Sequence, residues 1–257
     1  MNINLNPNSE LTQSIVNVPD VVQVPDVWIN EARQFRMAMM MYACAIREVK
    51  TKLEVLNDEL SIKNQRNPIE MIKSRVKKPM SILEKLQRRG LEVSVASMTK
   101  NLDDVAGIRI ICSFVDDIYE VAEMLVRQDD VTVIAIKDYI KNPKPNGYRS
   151  YHMIVEVPVF FSSSKKNIRV EVQIRTIAMD CWASIEHELK YKHDIANPEL
   201  MQQELKHCSD QIASTDLSLS TLKELILTPN ADPDANSNTS AGAEKPVASD
   251  CRGIPLG

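Results

Sequence analysis

The sequence is short of the residues that staple, ligate or anchor a chain. Its five cysteines, Cys44, Cys112, Cys181, Cys208 and Cys251, are odd in number, widely spaced and form no C-x-x-C pair. That pattern excludes a disulfide framework and a cysteine zinc site, and it predicts reduced thiols in a cytoplasmic protein. Only four histidines occur among 257 residues, none of them in the first half. The longest nearly uncharged apolar run, Met37 to Ile46, falls well below the roughly 20 residues of a membrane span. It predicts a buried helix face and no membrane partner. The N-terminus has neither a basic start nor an apolar core, so no secretory signal is expected.

What is present is the composition of a soluble globular protein, with 44% hydrophobic and 26% charged residues. A chain of this length buries one sizeable core with room for a tail. The net charge of −4 is unevenly spread: from Lys63 to Arg89 nine cations face two anions, and from Lys137 to Arg149 four face one. Two basic islands in an otherwise acidic chain point to a local polyanion site, not to a surface that coats nucleic acid.

Residues 1 to 25, with three prolines and little periodicity, read as an extended lead-in. Helical spacing runs from Trp28 to about Asn57. A second helix is expected from Asn67 and Pro68, a cap and a first-turn proline, to about Arg89, with Gly90 as its stop. Gly107 to Phe114 reads as a strand, "DDIYEVAEMLVRQ" as a helix, and "VTVIAI", "YHMIVEVPVF" and "NIRVEVQIR" as further strands. "TIAMDCWASIEHELKYKH" and residues 198–227 follow as helices, and residues 228–257 read as a polar, disordered tail. The fold class expected is α/β or α+β: a mixed sheet of about five strands flanked by helices, in one domain over residues 26–227.

Four stretches carry the chemistry. In "NIRVEVQIR" strand alternation puts Ile168, Val170, Val172 and Ile174 on one face and Arg169, Glu171, Gln173 and Arg175 on the other. Such a polar row suits a ligand, and a solvent-exposed strand face is its plainer use. In "KNPKPNGYRSYH" Asn146-Gly147 supplies a turn, after which Tyr148, Ser150 and His152 share a face, with Lys141 and Lys144 just before. An aromatic ring beside cations suits a phosphorylated aromatic ligand; half-buried packing competes with it. In "NLDDVAGIRIIC" Asp104 stands at a strand's edge and Arg109 faces away from Ile108 and Ile110. Asp104 and Glu171 together would suit Mg²⁺, which takes a few protein oxygens plus substrate phosphates, although Asp-Asp also serves in turns. In "SRVKKPMSILEKLQRR" helical spacing aligns Lys77, Ser81 and Lys85, with Arg75 just upstream, as an anion-binding stripe or a solvated basic face.

"SRVKKPMSILEKL", "DDVAGIRII", "KDYIKNPKPNGYRSYH" and "EVQIRT...WASIEHELKYK" follow one another as they do in the RelA/SpoT-type synthetases of guanosine tetra- and pentaphosphate. The chain resembles that family over roughly Asn67 to His193, and its length is similar to the small, single-domain alarmone synthetases of the RelQ-like branch. The resemblance implies a nucleotidyltransferase-like synthetase fold and a Mg²⁺-dependent transfer. The β,γ-pyrophosphoryl group of ATP would pass to the ribose 3′-hydroxyl of GDP or GTP, in a cytoplasmic homotetramer. It further implies that Arg75 and Arg109 sandwich adenine, as planar guanidiniums can, and that Lys77, Ser81 and Lys85 hold the ATP phosphates. Lys144, Asn146, Tyr148, His152 and Gln173 would hold GDP or GTP, with Tyr148 stacked on guanine. Asp104 and Glu171 would bind magnesium and serve as the catalytic carboxylates, Glu171 drawing the proton from the 3′-hydroxyl. Arg175, Glu186 and His187 would support them.

Larger family members also carry a hydrolase with a His-Asp metal centre. His193-Asp194 has no histidine partners in the first half of the chain, so synthesis without hydrolysis is expected. Met71 and Lys73 stand where product-activated members carry Phe and Thr, and Asp180 where Asn is expected. The competing functions are a guanine-nucleotide or RNA-binding regulator and a toxin-like tRNA pyrophosphokinase. Single-stranded RNA would find its surface on the basic islands, either as that regulator's ligand or as a regulator of the synthetase. A polymerase-β-type transferase is disfavoured by the absence of a Gly-Ser turn followed by Asp-x-Asp.

Overall fold

The computed structural model describes residues 26–63, 66–190 and 197–227; the lead-in, the tail and His193-Asp194 lie outside the described residues. Helix α1 (Asp26–Lys63) is followed by β1 (Ile69–Val76), α2 (Pro79–Arg88), α3 (Val95–Asn101), β2 (Ala106–Cys112) and α4 (Val115–Val126). Then come β3 (Thr132–Asp138), β4 (Tyr151–Phe160), β5 (Lys165–Thr176), α5 (Ile177–Lys190) and α6 (Pro198–Leu227). The strands form one mixed sheet in the order β1-β2-β5-β4-β3. Its central pair, β2 and β5, is parallel, and the other neighbours are antiparallel.

Period-two alternation decides which face is which. Ile108, Ile110, Met153, Val155, Val157, Val170, Val172 and Ile174 are all buried on one face. They join Tyr42, Ala45, Val49 and Leu53 of α1 and Ile118, Val121 and Leu125 of α4 in a single core. Each such aliphatic side chain contributes roughly 1.5–3 kcal/mol relative to exposure. The stretch Met37–Ile46 meets expectation along one stripe only. Ala38, Tyr42, Ala45 and Ile46 are buried, whereas Met37 and Met40 keep 50% and 39% of their surface.

The helix expected from Asn67 to Arg89 is two elements. Residues 69–76 form edge strand β1, paired antiparallel with β2 from Ile69 opposite Cys112 to Val76 opposite Ala106. The apparent helix start at Asn67-Pro68 is overridden by a partner strand, residues 106–112, some forty residues further on. The helix begins only at Pro79, in its first position, and ends in Gly90 with φ +66°. Arg75 therefore projects from a strand, and Lys77 lies in the link before α2. Helix α3, which sequence periodicity did not single out, is capped by the Ser94 hydroxyl accepting from the Ser97 N–H at 3.1 Å.

Candidate active site

The sheet face opposite the core is polar because register lines up two rows across all five strands. One row reads Lys73, Arg109, Gln173, His152 and Lys137, each directly opposite the next; the adjacent row reads Arg75, Gly107, Glu171, Ile154 and Ala135. Glu171 stands at the centre of the second row between a glycine and an isoleucine. The carboxylate is thus framed by small or apolar neighbours, with cations one row away.

Two recesses open on this face and share Asp104 and Glu171. The first, about 190 Å³, is bordered by Lys73, Arg75, Arg109 and Gln173. The second, about 250 Å³, is bordered by Lys85, Arg89, Lys137, Tyr139, Lys144 and His152. Size does not mark the site, since a larger cavity of about 630 Å³ lies between α1, α2 and α3, lined mainly by apolar side chains.

Between the recesses the Asp104 Oδ2 atom accepts from Lys77 Nζ at 3.2 Å and Lys85 Nζ at 2.6 Å. Burial pushes the Asp104 carboxyl up, but the two ammonium groups outweigh it and hold it below the ordinary range. Its Oδ1 atom is buried and has no hydrogen-bond partner. That orphaned oxygen and Glu171 fit a hard divalent cation. Among the described residues no group of three or more His, Cys, Asp or Glu side chains gathers to hold a metal. Two carboxylates match Mg²⁺, which completes its shell with water and substrate phosphate oxygens.

Glu171 is held by Gln173, whose amide donates to Oε2 at 2.9 Å, and faces His152 Nδ1 at 3.6 Å. The Tyr148 hydroxyl lies 2.7 Å from His152 Nε2 and accepts from Arg175 Nη2 at 2.5 Å. A guanidinium only donates, so the tyrosine proton goes to Nε2 and the imidazole N–H faces Glu171; this tautomer is inferred from the network. Burial lowers the His152 pKa, overriding the pull of Glu171, so the ring is neutral at pH 7. For Glu171 burial raises the pKa, but the donors from His152 and Gln173 outweigh it, and the carboxylate is ionised at pH 7.

The loop before β4 is shaped as the Asn-Gly pair predicts. Gly147 takes φ +91°, and an added Cβ there would meet Ser209 Cβ of α6 at 2.7 Å. The Asn146 amide donates to Glu186 at 3.0 Å while its oxygen accepts from the Tyr148 N–H at 3.2 Å. Asn146 and Glu186 thus meet as loop-shaping partners. Lys144 Nζ sits 4.6 Å from the Tyr148 ring centroid and the Arg175 guanidinium 5.0 Å. A base stacking on that ring would compete with these cations for it. Ser150, the hydroxyl of the same motif, is buried and donates to the Ile174 carbonyl at 3.2 Å.

Of the residues singled out in the sequence, Arg75, Lys85, Asp104, Arg109, Lys144, His152, Glu171 and Gln173 border the two recesses. Lys77 and Arg175 are one contact away. Ser81, Asn146, Tyr148, Glu186 and the exposed His187 border neither. Arg89, Lys137 and Tyr139 were missed, although Ala135, Lys137 and Tyr139 follow the same period-two rule that exposed Glu171. The first basic island is largely absorbed internally. Arg66 pairs with buried Asp117, Lys73 with Asp180, Lys77 and Lys85 with Asp104, and Arg89 with the Asn101 carbonyl. Among the described residues no helix is long and apolar enough to cross a membrane.

The sequence profile of the region found in RelA / SpoT proteins matches residues 74–196. The GTP pyrophosphokinase YwaC of Bacillus subtilis (strain 168) is 41% identical over 197 residues, 77% of this chain and 90% of that protein. Among solved structures, small alarmone synthetase 1 from Bacillus subtilis bound to its product pppGpp superposes with a TM-score of 0.68. It is 36% identical and matched over 76% of this chain and 98% of its own. The same synthetase bound to AMPCPP gives 0.64 at 36% identity, over 76% and 98%.

Proposed function

The chain belongs to the RelA / SpoT family, and from that premise we infer that its paired recesses are the donor and acceptor nucleotide sites of a small alarmone synthetase. It is a GTP pyrophosphokinase that makes guanosine tetra- or pentaphosphate from ATP and GDP or GTP. The observation that carries the site assignment is the shared wall: two recesses with cations on either side meet at Asp104 and Glu171.

On this assignment the donor lies against Arg75 and Arg109, whose guanidinium planes stack on adenine, with Lys77 and Lys85 at the phosphates. AMPCPP, a methylene-bridged ATP analogue, on a relative supports that half. Ser81 stands one turn before Lys85 on α2 and joins the phosphate end. The acceptor lies across β4 and the loop before it. Arg89, Lys137 and Lys144 neutralise its phosphates, and Tyr148 takes the guanine once Lys144 swings aside. His152 and Gln173 hold the ribose end next to Glu171. Arg175 and Glu186 brace the loop through Tyr148 and Asn146. His187 is exposed on α5 and borders neither recess.

Chemistry then needs one proton removed and one phosphorus approached. Glu171, ionised at neutral pH, accepts the 3′-hydroxyl proton. The oxygen attacks the β-phosphorus of ATP as the bond to the α-phosphate oxygen breaks, and AMP leaves. Positioning and charge neutralisation supply most of the acceleration in such transfers. Mg²⁺, held by Asp104 and Glu171, would supply further neutralisation of the developing phosphate charge. Homotetrameric assembly and action in the cytoplasm belong to the same assignment as properties of the RelQ-like branch, whereas single-stranded RNA as a regulator rests on the basic islands alone.

The test is to incubate the purified protein with Mg²⁺, γ-labelled ATP and, separately, GDP, GTP and uncharged tRNA. Label is expected on guanosine tetra- or pentaphosphate. Label on tRNA alone, or on nothing, would overturn the assignment in favour of the toxin-like or the regulatory function.

A further inference from the structure

Asp180 belongs to neither nucleotide recess, yet it touches the machinery of both. It sits in the first turn of α5, immediately beyond β5, where the helix N-terminus favours a carboxylate. Its Oδ1 atom accepts from Arg109 Nη1 at 3.1 Å and from Arg175 Nη1 at 3.2 Å, and Oδ2 accepts from Lys73 Nζ at 3.3 Å. The carboxylate is mostly buried, with 11% of its side-chain surface left. Arg109 and Lys73 border the donor recess. Arg175, buried and bordering neither recess, donates onward to the Tyr148 hydroxyl and the Gln173 amide oxygen, and its guanidinium carbon lies 5.0 Å from the Tyr148 ring centroid.

We propose that Asp180 is a positioning residue that couples the two nucleotide sites, by fixing donor-side Arg109 and acceptor-side Arg175 on one carboxylate oxygen. The argument rests on the donor and acceptor assignment above. Two guanidiniums that share one oxygen cannot be moved independently. Stacking of adenine on Arg109 fixes that side chain, hence Asp180, hence Arg175, and so orders Tyr148 before the acceptor arrives. Like charges alone would drive the two arginines apart, and Arg175 already depresses the Arg109 pKa, second to burial. The intervening carboxylate turns that repulsion into a common anchor. Linkage then requires the acceptor to tighten donor binding by the same factor.

The experiment is calorimetric titration of AMPCPP and of GDP, each alone and with the other saturating, in the presence of Mg²⁺, so that no turnover intervenes. In the wild-type protein each ligand is expected to tighten the other at least about fivefold, the lower end of ordinary coupling. In Asp180→Asn each single-ligand Kd should stay within about threefold while the mutual factor falls to nearly one. Wild-type ligands that bind independently, or an Asn variant that keeps the wild-type factor, would overturn the proposal. If Asp180→Asn does not fold, as read by thermal melting, Asp180→Glu is the second variant. It retains the charge, displaces it by one methylene, and is expected to lower the factor while restoring the melt. Loss of fold in both would make Asp180 a structural residue and end the proposal. Failure of alarmone synthesis in the labelling assay would instead remove the nucleotide assignment itself, a separate result.

Discussion

At the scale of single residues, the cleft is governed by which charges burial allows. Glu171 is ionised because two donors offset its desolvation, and this makes it competent to take a proton without help from pH. Glu171→Gln should cut the transfer rate by about 10²–10⁴-fold while both nucleotides still bind, measured by single-turnover labelling beside calorimetry; retained turnover would sink the assignment. His152 behaves oppositely to a paired histidine. Its folded-state pKa lies below the ordinary 6.5, so below that value the unfolded chain binds a proton that the folded chain refuses. Stability is therefore lost as pH falls through this window. Between about pH 7.5 and pH 5.5 the melting temperature of His152→Gln should drop less than that of the wild type. An equal drop would show that the ring titrates freely.

At the scale of elements, α6 is a strap over the acceptor loop. Ser209 donates to the Gly147 carbonyl, Asp216 accepts from Thr176 at 2.9 Å, Trp182 donates to the Leu205 carbonyl at 2.8 Å, and Lys223 pairs with Asp117 at 3.1 Å. Gly147→Ala would put a Cβ into Ser209 at a positive φ, at a cost of about 1–3 kcal/mol, and lift the loop from the helix. Its melting temperature should fall and its KM for GDP should rise more than its KM for ATP; equal changes in the two would separate the loop from acceptor binding. Legibility also divides by element. Strand β5 announced itself because alternation is a local signal, and Glu171, Gln173 and Arg175 came with it. Strand β1 did not. Ile69, Ile72 and Val76 fit helical spacing, Asn67-Pro68 imitates a helix start, and only β2, distant in sequence, decides the matter. Lys137 and Arg89 were visible as charges but not as site residues, since what brings them to the cleft is cross-strand register and the turn after α2. Nothing local in "NPKPNGYRSYH" reveals that Lys144 and Arg175 cap the Tyr148 ring.

At the scale of the whole molecule, the C-terminal half of α6 leaves Leu217, Leu222, Leu225 and Ile226 exposed while its other side binds the domain. Such a face suits association with further copies, as the homotetramer proposed above requires. Replacing Leu222 and Leu225 together by Asp should lower the mass seen by light scattering below four chains, with the far-ultraviolet helix signal kept. An unchanged mass would place the interface elsewhere.

The two rows that cross the sheet have a further consequence. Each strand, including edge strands β1 and β3, contributes one residue to each row, and a slip of one position in any strand would turn its contribution to the opposite face. On the nucleotide assignment proposed above, turnover would double as an assembly checkpoint: a chain whose edges have zipped out of register, or not at all, would lack Arg75 or Lys137 at the cleft and stay silent. A nascent or damaged copy would then release no alarm signal until its last strand is in place.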